Sequence, residues 1–157
     1  MAVLMGVPFR RVTIQPSAVF AGQVVLGKQE PPEHVDPCNP DWDVKMARQY
    51  WAGRICGALA GPLAETLHTR CWQQQPASDE HTDECKAWEI AEYFDPPAKA
   101  DRWLNRLRFR TLEMLRAPGT WAAVDAVAGE LVRRNILNST QVRAIMARAL
   151  PWDALAD

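Results

Sequence analysis

Apolar residues recur at helical spacing along most of this chain and at strand spacing only near its front. Arg11-Val12-Thr13-Ile14 alternates like a strand, and Gln23 to Leu26 is a second β-rich run. Pro16-Ser17 and Ala21-Gly22 punctuate the connection, which predicts a hairpin or a pair of short strands. Ahead of them, Met1 to Val7 is an apolar run with no capping residue before it, ending at Gly6 with Pro8 close behind. It reads as the last turns of a helix whose first turns are not in the chain. Residues 28–40 contain Pro31, Pro32, Pro37 and Pro40 and are expected to form a loop.

The remainder predicts helices. Asp41 is the expected cap of a long helix, with Asp43 in its first turn and Val44, Trp51, Ile55 and Leu59 as its apolar stripe. Gly53, Gly57 and Gly61 follow one another at intervals of four, beside Ala52, Cys56 and Ala60. Such a stripe lets another backbone approach closely, and a packing partner should offset the ~1 kcal/mol that each glycine costs the helix. Pro62 is expected to kink or restart this helix, which continues to about Leu67. After a polar loop over 69–80, a helix is expected from Thr82 to Phe94, with Ala87, Ile90, Ala91 and Phe94 on one face. Pro97 suits the first turn of a helix ending near Leu115. Thr120 is the expected cap of the next helix, with Trp121, Val124, Val127 and Leu131 facing in. Asn138 and Gln141 form a capping-box pattern for the last helix, on which Val142, Ile145, Met146 and Ala149 are apolar. The expected fold class is mainly α, of α+β type, with a short two-stranded β element near the N-terminus.

Composition narrows the function classes. The 157 residues suit one domain over 1–157, divided into 1–27, the loop 28–40 and a helical part 41–157, able to bury roughly 70% of its unfolded surface. The chain is 48% hydrophobic and 24% charged, with a net charge of −1, so no overall field draws it to nucleic acid or an anionic membrane. Arg102, Arg106 and Arg110 lie four apart on one helix face; in a neutral chain that also carries Asp101 and Glu113 nearby, they read as a solvated face. The longest apolar helical stretch, Ile55 to Leu63, falls well short of the ~18 residues a membrane span needs. The N-terminal run lacks the positive n-region of a signal peptide, which makes cytoplasmic the expected location. Cys38, Cys56, Cys71 and Cys85 show no CxxC spacing and read as reduced thiols, with a Cys71–Cys85 bridge as the alternative. There is no GxxxxGK[ST] motif and hence no sign of an ATPase module.

Two stretches carry candidate chemistry, Leu59-Ala60-Gly61-Pro62-Leu63-Ala64-Glu65-Thr66-Leu67 and Thr82-Asp83-Glu84-Cys85-Lys86-Ala87-Trp88-Glu89-Ile90-Ala91. In that order they resemble the peptidase domain of the FtsH-type zinc metallopeptidases, which reads aGG-R/P-x-AEE, then a loop, then sxD-xxxAtxIA at a helix start. The front is similar too, through Arg11-Val12-Thr13-Ile14-Gln15-Pro16 and Ala21-Gly22-Gln23-Val24-Val25. So is the tail, through Ala126-Val127-Ala128-Gly129-Glu130-Leu131 and Leu137-Asn138-Ser139-Thr140-Gln141-Val142. The resemblance covers Val7 to Leu150.

The resemblance implies a helical peptidase-like fold and, in intact relatives, zinc-assisted peptide-bond hydrolysis. There the metal is held by the two His of HExxH and a later Asp, with the Glu of HExxH as general base. Asp83 is the matching third-ligand position; the alternative is that it only favours a helix start. HExxH is absent: none of His34, His68 and His81 has Glu next and His four residues on. By the family pattern it would sit a few residues before Met1. The expectation is therefore a shortened or degenerate relative that holds no zinc and hydrolyses no peptide as given, or a pseudopeptidase that binds peptide or protein without cleaving it. A His81–Cys85 metal pair, supplemented by His68 and Cys71, is a weaker arrangement because a site needs three or four convergent ligands.

The second strand, Gly22, Gln23, Val24 and Val25, matches the family's peptide-binding edge strand. The alternative is that the Pro-rich loop covers it. The implied partners are a peptide or unfolded protein substrate, further copies of the chain or a separate ATPase, and no nucleic acid. A third alternative is a purely structural helical domain.

Overall fold

The computed structural model describes residues 8–16, 23–26, 41, 43–70 and 82–150. The apolar run at 1–7, the Pro-rich loop 28–40 and most of the polar loop at 69–80 lie outside the described residues. The elements are β1 (Phe9–Thr13), β2 (Gln23–Leu26), α1 (Val44–Thr69), α2 (Asp83–Phe94), α3 (Pro97–Arg116), α4 (Pro118–Arg134), β3 (Ile136–Asn138) and α5 (Ser139–Ala149). The chain is mainly helical, as the spacing predicts. It divides into two units, one holding α1, α2 and α3 through Leu115, the other holding β1, β2, α4, β3 and α5.

In the helical unit, α1 starts two residues later than expected. Asp43, not Asp41, is the N-cap, because its Oδ1 accepts from the backbone N–H of Lys45 at 2.8 Å and of Met46 at 3.1 Å. The helix runs through Pro62 as one element to Thr69; buried Leu59, Ala60 and Leu63 hold the turns around it. α2 lies against α1, and the residues it buries are the small Ala87 and Ala91. Thr82 caps α2 as expected, its Oγ1 accepting from the Cys85 N–H at 3.1 Å. α3 buries Ala100, Trp103, Leu104, Leu107, Thr111 and Leu115, a stripe at three- and four-residue spacing. The buried Thr111 hydroxyl donates to Leu107 O at 2.8 Å, so it is not orphaned.

The other unit is a sheet with two helices on it. β1 is its middle strand, antiparallel to both β2 and β3, so the β element has three strands where two were expected. Val12 stands opposite Val24 on one side and Leu137 on the other. A bulge at Arg10 adds one residue between Phe9 and Arg11, which returns Phe9 to the same face as Val12. Phe9 and Leu137 are buried there, with Val142 and Met146 of α5, which lies against β1 and β3.

α4 begins at Pro118, with Ala117 as N-cap and no side-chain cap. Thr120 lies inside the helix and is buried; Pro118, whose φ is already set for a first helical residue, starts the helix three positions before the start that a Thr120 cap implies. Its inward stripe is shifted accordingly: Thr120, Ala123 and Leu131 are buried, while Trp121, Val124 and Val127 are half-buried. Asn135 ends α4 with φ 62°, a left-handed turn that Asn tolerates. Its carbonyl accepts from the Ile14 N–H at 3.0 Å and the Thr13 hydroxyl at 3.2 Å.

The expected capping box at the start of α5 is formed: Asn138 Oδ1 accepts from Gln141 N–H at 2.9 Å, and Gln141 Oε1 from Asn138 N–H at 2.9 Å. Replacing Asn138→Ala removes one of those bonds and should lower stability by about 1 kcal/mol in urea or thermal unfolding, whereas Asn138→Ser should retain most of it.

Candidate functional site

The strand β2 and the start of α2 are the two places where the expected site residues fall among the described residues. Gly22 lies outside them, as do His34, His81, Cys38 and Cys71. The His81–Cys85 arrangement is therefore not described.

β2 is short, and within the described sheet it has one neighbour, β1. Its register pairs Gln23 with Thr13, Val24 with Val12 and Val25 with Arg11. A strand paired on one side turns half of its backbone N–H and C=O groups to the other. Val24 is 48% exposed although it stands in the apolar row that begins at Leu137 and passes through Val12. Val25, on the opposite face, is half-buried. The arrangement is an apolar row that runs out to a strand with no second neighbour among the described residues.

Asp83 is the first residue of α2 and is exposed. Its Oδ1 receives the Lys86 ammonium at 3.2 Å, with both side chains 52% exposed. Since Thr82 makes the cap bond, Asp83 adds only a dipole-favoured charge and this surface pair, each a small term. Beside it, Glu84 meets Arg108 at 3.5 Å. As a zinc position Asp83 offers one carboxylate, and among the described residues no three His, Cys, Asp or Glu side chains gather. His68 is exposed in the last turn of α1.

The glycine stripe of α1 is not one groove. Gly53 is buried with Cys56 and Ala60, whereas Gly57 is half-buried and Gly61 exposed. A Cβ at Gly57 or Gly61 would meet no atom within 4 Å among the described residues.

A further cluster has no counterpart in the sequence reading. The Arg48 guanidinium of α1 lies 5.1 Å from the Trp103 ring centroid and 5.9 Å from that of Phe94, and it pairs with the Asp95 carboxylate. The two rings meet edge to face at 5.6 Å. One arginine thereby joins all three helices of its unit. A lone Arg has no periodic signature; the one signal in the sequence was the aromatic Phe94 beside Asp95-Pro96.

No helix among the described residues is long and apolar enough to cross a membrane. No protein-family model matches the chain, and no curated protein matches it.

The open space at Gly57 has a direct consequence. Gly57→Ala should raise unfolding stability by about 0.5–1 kcal/mol, since it gains helix propensity and meets no other element. Gly61→Ala should gain less or destabilise, because its Cβ would press on the ring of Pro62, which follows it in the helix. Destabilisation by Gly57→Ala in denaturant titration would show that another backbone packs there.

Proposed function

We propose that this chain is a non-catalytic peptide- or protein-binding domain, a pseudopeptidase on an FtsH-type metallopeptidase scaffold, which takes an extended segment of polypeptide as an added strand along β2. The observation that carries the reading is Val24, exposed at the end of an apolar row on the edge of the sheet. Adding a strand satisfies the outward backbone groups of β2 whatever the sequence of the segment, so the site is permissive. Every second side chain of the segment would extend the row of Leu137, Val12 and Val24, which selects alternate apolar residues.

The scaffold assignment rests on the order of its parts: a strand, an edge strand, a helix with small residues around Gly61-Pro62, and Asp83 at the start of the next helix. Where relatives bring the two His and the Glu of HExxH, Asp83 marks the third zinc position and the peptide would be cut. For the residues of this chain the activity we assign is binding along β2, in the cytoplasm.

The test is fluorescence anisotropy with a labelled, unstructured peptide of alternating Val and Thr. The purified chain should bind it, and the same peptide N-methylated at alternate residues, which cannot pair as a strand, should bind about tenfold more weakly or not at all. Val24→Lys should weaken the unmodified peptide with no loss of helix signal in circular dichroism. Undiminished binding of the N-methylated peptide would refute strand addition. Cleavage of the peptide, together with one zinc per chain lost on Asp83→Ala, would refute the non-catalytic assignment.

A further inference from the structure

The face of the sheet turned away from α5 is cationic beside β2, and a bulge makes it so. The register sets Phe9 against Leu26 and Arg11 against Val25, with Arg10 as the extra residue. Two residues of β1 thus stand opposite one residue of β2. Phe9 before them is buried and Val12 after them half-buried, on the side that α5 covers, whereas Arg10 and Arg11 are both exposed. A regular strand would have turned Arg10 inward with Val12. The bulge instead places two neighbouring arginines on the other face, both opposite Val25.

The charge on that face is one-sided. β1, β2 and β3 contain no Asp or Glu. Neither Arg10 nor Arg11 has an ion pair or a ring contact among the described residues. Asn138 and Ile136, opposite Arg11 and Thr13 on β3, are exposed and uncharged. The described carboxylates of this unit are Asp125 and Glu130, both on α4, and Glu130 is engaged by Arg133 and Arg134.

We propose that the segment taken up along β2 is acidic: alternate residues are apolar, in line with Val24, and those between them are Asp or Glu, on the face of Arg10 and Arg11. This selection rests on strand addition along β2 and states what that edge prefers. An added strand lies about 5 Å beyond β2, hence about 10 Å from β1. Extended Arg and Glu side chains span that distance over Val25, which is half-buried. Carboxylates placed there gain charge-assisted bonds from guanidinium groups that otherwise only repel each other, and lysines in the same positions add to the repulsion. The whole chain has a net charge of −1, so a preference for acidic peptide has to arise from this local pair.

Fluorescence anisotropy on the full chain tests it with three labelled, unstructured peptides: alternating Val–Glu, Val–Thr and Val–Lys. In about 0.02 M salt, Val–Glu should bind about threefold or more tighter than Val–Thr, and Val–Thr tighter than Val–Lys. The order should flatten toward about 0.5 M salt. Arg11→Glu should reverse the order, and Arg10→Gln combined with Arg11→Gln should erase it. The readout is the ratio among the peptides, which a merely weakened fold would not reverse; circular dichroism checks the fold of each variant.

Equal affinity for all three peptides, each still blocked by N-methylation at alternate residues, would overturn the acidic preference and leave strand addition standing. Val–Glu binding that survives N-methylation would overturn both, since charge alone would then hold the peptide. Failure of all three peptides to bind would also overturn both. A single-stranded oligonucleotide that binds more tightly than Val–Glu, and loses its affinity in the double Gln variant, would assign the two arginines to phosphate instead.

Discussion

The pairing of β1 with β3 holds the sheet unit together, and the edge offered by β2 depends on it. A two-stranded ribbon such as β1–β2 is marginal alone in water. It becomes part of a core because residues 136–138 return to lie against residues 11–13. That return is set by one residue. Asn135 adopts a left-handed conformation that ends α4, and its carbonyl takes two bonds from the end of β1. The turn, the strand and the cap of α5 follow within four residues, Asn135 to Asn138, so α5 is delivered onto the sheet with no slack. The bulge at Arg10 completes the fit by keeping Phe9 and Val12 on the covered face.

Arginine plays opposite parts in the helical unit. Arg48 is half-buried, stacked against Phe94 and Trp103 and neutralised by Asp95, so its planar group serves as a wedge between helices. A lysine would supply the charge but not the flat surface against two rings. Arg102, Arg106 and Arg110 make neither an ion pair nor a ring contact among the described residues and are exposed. Burial and partner, not residue type, separate a structural arginine from one open to an interaction.

The helices were legible because each repeats its apolar residues often enough for the period to show. Their starts were less so: Asp43 and Asp41 are both acceptable caps, and so are Thr120 and the Pro118 start, and only the backbone geometry decides between them. The face of α4 that packing buries carries Thr120, Ala123 and Leu131, with Trp121, Val124 and Val127 half-buried beside it, a rotation that the apolar period alone does not resolve. β3 was not legible as a strand, since three residues cannot display a period and its partner lies about 125 positions away in the chain. At the candidate sites, the second strand and the placement of Asp83 at a helix start were readable, whereas the Lys86 ion pair and the Arg48 cluster are products of three-dimensional arrangement.

Functional weight belongs to features that stability does not explain. Asp83 is accounted for by the favourable field at a helix start and a surface ion pair, so its carboxylate alone asks for nothing more. Val24 is different. A valine half in water contributes less to the core than a covered one, and on an edge strand it invites pairing that folded chains commonly guard against with charges or proline. Phe109 is 62% exposed, whereas Tyr93, equally exposed, meets Phe94 edge to face at 5.7 Å. An apolar edge lowers its free energy when a second polypeptide covers it, and the proposed binding along β2 rests on that difference between Val24 and Asp83.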